Sequence, residues 1–214
     1  KVYMGMVINK QVNGQCKLGV WKITEDYDQL LSHLTLDKED RDTLQNFKNP
    51  KRKLEWLAVR VLLDQLSGKE NKILYNGNRR PYLLDRDYNI SISHSGEYTT
   101  VLLCREKHVG IDIEKMQSKI EHIAFKFLTD QEMESLDAQQ RVYHLYLHWC
   151  AKEALFKVCN RKQISFRKNL FIEPFTPRKE GTLIGRVETD EMQFRLKMYY
   201  FSVENYPLVW CYKE

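Results

Sequence analysis

The chain has 214 residues, with 34 Lys and Arg against 29 Asp and Glu and a formal charge of +5. Its 43% hydrophobic content suits a sizeable core, and 9 Gly with 5 Pro exclude collagen-like or proline-rich disorder. No run approaches the ~18 apolar residues of a transmembrane helix, and the mild positive charge permits an anionic ligand without demanding nucleic acid.

The opening residues, KVYMGMVINK, lack a secretory cleavage pattern, and the missing initiator Met is expected of a trimmed chain. Residues 2–8 read as a strand and 17–22 as its neighbour. Thr24 is the expected cap of a short helix whose Tyr27, Leu30, Leu31 and Leu34 share a face. A second helix is predicted from Asp37 to Phe47, interrupted by Asn49-Pro50, because a residue before proline avoids the helical region.

Residues 51–66 form a strongly amphipathic helix, with Leu54, Leu57, Ala58, Val61, Leu62 and Leu66 at helical spacing. Its basic first turn, Lys51-Arg52-Lys53, opposes the helix dipole, as a site for an anion or merely a solvated turn would. Residues 67–88 read as connecting sequence. Strands are predicted at 89–94, 98–104 and 108–114. A helix near 118–127 is followed by a capping box from Thr129 to Glu132, then by a long helix over 140–159. Strands at 182–188, 192–203 and 207–212 close the chain, with a tight turn around Asn205 and Pro207. The order predicts an α+β protein of two comparable parts, 1–106 and 107–214, without sequence repeat. Cys16, Cys104, Cys150, Cys159 and Cys211 are widely spaced without a CxxC, which argues against a disulfide framework or zinc ribbon and for a cytoplasmic setting.

Three segments carry candidate chemistry. In Gly110-Ile111-Asp112-Ile113-Glu114 the carboxylates fall two apart on one strand face. They either flank a hard cation such as magnesium or manganese, or end an exposed strand. In Trp149-Cys150-Ala151-Lys152-Glu153-Ala154-Leu155-Phe156-Lys157, Glu153 and Lys157 share a helix face. Glu153 could complete a three-carboxylate site with Lys157 one turn away, or the pair is an ordinary ion pair beside a core tryptophan. Lys152 is read as solvent-facing. In Ser91-Ile92-Ser93-His94-Ser95-Gly96 the hydroxyls and His94 could meet phosphate or ribose oxygens, or simply bond within a turn. There is no G-x-S-x-G elbow, P-loop or dinucleotide fingerprint, and His144 and His148 lack the glutamate of a zinc-protease helix and read as helix surface or packing.

Taken in order, Ile92-Ser93-His94-Ser95, the Gly110–Glu114 segment and the Trp149–Lys157 helix resemble the 4′-phosphopantetheinyl transferases. The nearest likeness is to the longer single-chain type that activates surfactin synthetase. Asn78-Arg79-Arg80-Pro81-Tyr82 matches more weakly, with arginine where the family has lysine, as does the basic helix with Arg52. The resemblance implies two similar α/β subdomains in a pseudo-twofold arrangement, with the cleft between them. It implies transfer of phosphopantetheine from coenzyme A to a serine of an apo acyl or peptidyl carrier protein, leaving adenosine 3′,5′-bisphosphate. It implies magnesium on Asp112, Glu114 and Glu153, with Glu153 as the base for the carrier serine and Lys157 beside the transferring phosphate. Ser93, His94, Arg80, Arg52, Lys38 and Arg41 are the expected partners of coenzyme A. A monomer without nucleic-acid or membrane partners is expected. A noncatalytic carrier- or anion-binding module, or another magnesium-dependent phosphoryl-transfer enzyme, is the competing reading. Phe125, in a segment with Lys119 and Lys126, is either part of a carrier-docking surface or packed against the second sheet.

Overall fold

A computed structural model describes residues 5–159 and 163–213. Strands β1 (Met6–Val12) and β2 (Cys16–Lys22) form a hairpin, followed by helices α1 (Tyr27–Leu31), α2 (Lys38–Asn46) and α3 (Pro50–Ser67). A small hairpin, β3 (Ile73–Tyr75) and β4 (Pro81–Leu83), leads to β5 (Asn89–Ser95), β6 (Tyr98–Cys104) and β7 (His108–Ile113). A 3-10 stretch, Ser118–Ile123, runs into α4 (Ala124–Phe127) and α5 (Asp130–Glu134). The long helix α6 (Arg141–Cys159), short α7 (Phe166–Asn169), and strands β8 (Leu170–Ile172), β9 (Glu180–Glu188), β10 (Gln193–Val203) and β11 (Tyr206–Lys213) complete it.

Two antiparallel sheets result, with strand orders β1-β2-β6-β5 and β7-β11-β10-β9-β8. Alternation along the strands sends residues to opposite faces. Leu18 and Val20 of β2 meet Ile111, Ile113, Leu208 and Trp210 in a cluster shared by the two sheets. The opposite face of the first sheet is covered by Leu57, Leu62 and Leu66 of α3. That of the second is covered by Leu147, Ala151 and Leu155 of α6. No described helix is long and apolar enough to cross a membrane.

Several local expectations shift. The first strand lies at Met6–Val12 instead of 2–8, and residues 2–4 fall outside those described. Asp26, not Thr24, caps α1 through a capping box with Gln29. That helix is too short to include Leu34, so Tyr27 is left exposed. Asn49 caps α3 with Pro50 at its start, where proline's missing N–H is no loss. The region read as connecting sequence contains the β3–β4 hairpin, whose three-residue strands are too short to show a period. The stretch over 118–127 is 3-10 followed by one α turn. Cys16 and Cys104, distant in sequence, face each other in the β2–β6 register and are joined by a disulfide, where a chain without one had been expected.

His144 and His148 are wholly buried against Phe175, and burial pushes the His148 imidazole down to about 3. An unfolded histidine protonates near ~6.5, so the depressed value contributes stability above that pH that is lost as pH falls toward the folded value. Unfolding free energies from urea titrations between pH 7 and pH 4 should fall with a slope of up to about 1.4 kcal/mol per pH unit from this group. His148→Gln should flatten the curve, and parallel curves would exclude His148 as the source.

Candidate active site

Strands β5 and β7 are edge strands of their respective sheets, and serine hydroxyls join them. Ser91 accepts the Ile111 N–H (3.1 Å), Ser93 donates to Asp112 Oδ1 (2.6 Å), and Ser95 donates to Glu114 Oε2 (2.7 Å) while accepting the Lys115 N–H (3.0 Å). The alternating serines therefore satisfy an otherwise open sheet edge and fix the two carboxylates of β7. The hydroxyl of Ser93, expected to meet coenzyme A, is engaged by Asp112.

Helix α6 crosses β7 at very close range. A Cβ on Gly110 would lie 2.0 Å from the Ala154 carbonyl oxygen, so only glycine fits there. This approach brings Lys157 Nζ to the Ile111 carbonyl (2.7 Å) and Asp112 Oδ1 (2.9 Å). Glu153, one turn earlier, interacts electrostatically with Asp112, Glu114 and Lys157. Burial, with repulsion from Asp112, pushes Glu153 up to about 7 against the pull of Lys157. Glu114 is also raised, by burial and Asp112, although hydrogen bonds from Ser95 and Trp149 oppose the shift. Asp112 is 3% exposed, and its Oδ2 is buried without a hydrogen-bond partner.

Opposite this centre, Arg52 bonds His94 Nε2 and Glu55 (3.2 Å). A guanidinium only donates, so Nε2 accepts and the neutral ring carries its proton on Nδ1, which faces Glu55 at 3.4 Å. Burial lowers the His94 pKa, with Glu55 opposing. The loop between β3 and β4 is held by Asn76, whose side chain accepts the N–H groups of Asn78 (2.9 Å) and Arg80 (3.0 Å). Arg80 consequently enters a cavity of about 340 Å³ together with Arg52, His94, Glu153, Phe156 and Lys157. Burial lowers the Arg80 pKa, and no described carboxylate pairs with its guanidinium.

The expected residues thus divide. Glu153, Lys157, Arg52, Arg80 and His94 border one cavity, and Asp112 and Glu114 stand behind Lys157 and Ser95. Lys38 and Arg41 do not line it: both are exposed on α2, where Arg41 bonds the Leu36 carbonyl at 3.0 Å. Of the adjacent basic pair, Arg52 and not Lys53 faces the cavity. Phe156 and Glu55 were missed, although helical spacing from Glu153 and Arg52 was a usable signal for both. Lys152, expected to face solvent, is fully buried. Its ammonium binds Glu132 (2.7 Å) and the Phe127 (2.6 Å) and Phe166 (3.2 Å) carbonyls, because its helix face packs under the 124–136 segment.

Hard carboxylate donors, a buried unpartnered Asp112 oxygen and two carboxyls raised by burial and by repulsion from Asp112 all fit magnesium. Among the described residues, however, no group of three His, Cys, Asp or Glu side chains is gathered closely enough to hold a metal ion.

Fold and site together define an α+β protein with a carboxylate–lysine centre facing an arginine-lined cavity. The pattern of the 4′-phosphopantetheinyl transferase superfamily matches residues 108–214, half of the chain, and the chain belongs to that superfamily. It is 28% identical over 141 residues to a Synechocystis sp. protein whose name places it among 4′-phosphopantetheinyl transferases, covering 59% of this chain and 57% of that one. It is 29% identical over 112 residues to the 4′-phosphopantetheinyl transferase AcpT of Salmonella typhimurium, covering 50% and 58%. It is 30% identical over 115 residues to the rat L-aminoadipate-semialdehyde dehydrogenase-phosphopantetheinyl transferase, covering 49% and 35%. The match spans a little over half the length of the two bacterial relatives and about a third of the rat one.

Proposed function

We propose that this protein transfers 4′-phosphopantetheine from coenzyme A to a serine of an apo acyl or peptidyl carrier protein, giving holo carrier and adenosine 3′,5′-bisphosphate. The observation that carries the reading is the placement of Glu153 and Lys157 opposite Arg52, His94 and Arg80 around one cavity. A carboxylate able to accept a proton near neutral pH faces cations suited to a pyrophosphate. Glu153 takes the proton of the carrier serine hydroxyl as the serine oxygen attacks the pantetheine-bearing phosphorus of coenzyme A, and the pyrophosphate P–O bond breaks so that adenosine 3′,5′-bisphosphate leaves. Lys157, anchored on Asp112, stabilises charge on the transferring phosphate. Arg52 and Arg80 hold coenzyme A phosphates, and His94 orients Arg52. Asp112, Glu114 and Glu153 would hold magnesium only by drawing closer together than they stand here, and the ion when bound would supply charge neutralisation at the pyrophosphate.

Product analysis with coenzyme A, magnesium and several apo-carriers tests the reading. A carrier gaining the phosphopantetheine mass, with equimolar adenosine 3′,5′-bisphosphate, is the expected result. Binding without transfer would point to a noncatalytic module, and phosphate release without a modified carrier would point to a phosphatase.

Phe125 is 58% exposed and adjoins Ile123, which is 38% exposed, so it does not pack against the second sheet. With Lys126 beside it, this apolar and basic patch suits an acidic carrier surface. Phe125→Ala should raise the carrier KM about fivefold to fiftyfold, as loss of an interfacial aromatic does. Coenzyme A affinity and thermal stability should hold. Unchanged carrier KM would exclude Phe125 from docking.

A further inference from the structure

Arg80 belongs to two cavities. A second cavity of about 390 Å³ shares Arg80, Pro81 and Ile90 with the first and is also bordered by Arg86, His108, Tyr82, Tyr88 and Asn76. Among the described residues, no carboxylate lines this space. The nearby Asp85 and Asp87 are both taken by Lys69. His108 lies within electrostatic reach of Arg80 and Lys213 as well. The half-buried Arg80 guanidinium has no described carboxylate partner, and a buried unpaired charge is unfavourable until an anion meets it. Arg80, the exposed Arg86 and the exposed His108 therefore border a pocket with no described counter-charge among its lining residues.

The lining also restricts what can enter. Arg86 stacks on the Tyr82 ring at 3.9 Å, and Arg105 lies over the Tyr88 ring at 5.0 Å. Both rings thus already carry a guanidinium, which favours a ligand recognised by its charge over one held by a stacked base. We propose that the second cavity is an anion site for a phosphoryl or pyrophosphoryl group, distinct from the first cavity and joined to it through Arg80. Because one guanidinium serves both spaces, filling either weakens the field in the other, and the two sites are antagonistic. The antagonism involves coenzyme A only if the transferase reading is right, whereas the site itself does not depend on that reading.

The test uses the full chain and no transfer assay. Inorganic pyrophosphate is titrated while the imidazole resonances of His108 and His94 are followed by NMR. Two separate events are expected. Arg86→Gln should weaken the His108 event about tenfold, the effect of losing a charge-assisted contact, and leave the His94 event unchanged. Arg80→Ala should weaken both. Adenosine 5′-monophosphate should bind at His108 no more tightly than inorganic phosphate, and a clear preference for the nucleotide would overturn the assignment of a bare phosphoryl site. An unmoved His108 resonance, or a His108 event insensitive to both variants, would overturn the site itself.

Discussion

Glu153→Gln is expected to lower kcat for carrier modification by roughly 10²- to 10⁴-fold, the usual contribution of a positioned general base. The substitution keeps size and removes the ionisable carboxyl, and with it both the proton acceptor and one of the proposed magnesium ligands. Stability should rise slightly or hold, because the carboxyl is raised to about 7 and its ionised form is disfavoured in the folded protein. With a folded value above the unfolded one, a carboxyl makes the native state weaker as pH rises between the two. The Gln variant should therefore lose activity without losing melting temperature, and coenzyme A binding should change little. Retained turnover in Glu153→Gln would exclude Glu153 as the base. A parallel Asp112→Asn variant separates the roles. It replaces the ion pair of Lys157 with a neutral acceptor, so it should affect coenzyme A binding as well as kcat.

Lys152→Met should destabilise the protein by roughly 3–5 kcal/mol, since removing one partner of a buried ion pair leaves the other uncompensated. Glu132 is 5% exposed and accepts the N–H groups of Thr129 (2.8 Å) and Ile172 (2.9 Å) besides the Lys152 ammonium. Losing the lysine therefore loosens α5, β8 and α6 together. For a chain of this length, the melting temperature should fall by about 6–20 °C. The double variant Lys152→Met, Glu132→Gln should recover part of the loss, because the orphaned charge is then gone. A single variant as stable as the parent would show that the pair contributes nothing, and equal losses in single and double variants would show that packing dominates.

These two neighbours on α6 show what local pattern conveys and what it hides. Lys152, Glu153 and Lys157 are all readable as polar positions on a predicted helix. Sequence spacing alone placed Glu153 and Lys157 on a shared face, as the structure does, but left Lys152 in solvent. The burial of Lys152 depends on the 124–136 segment folding over it, a contact between residues far apart in the chain. The same limit applies to Cys16 and Cys104, opposed only through the β2–β6 register, and to the β3–β4 hairpin, whose strands are too short for a detectable period.

By itself the sequence determined the main helices, most strands and the three chemical segments, because periodicity, caps and proline placement act over neighbouring residues. The Thr129–Glu132 box and the alternation in β5 both follow from such short-range physics. Tertiary structure alone decided that the serines of β5 brace the carboxylates of β7, and that Gly110 lets α6 approach closely enough for Lys157 to reach Asp112. It also decided that Arg80 stands between two cavities while Lys38 and Arg41 line neither. The reason is that burial, charge repulsion and close approach depend on what packs against a residue from distant parts of the chain, which no local pattern encodes.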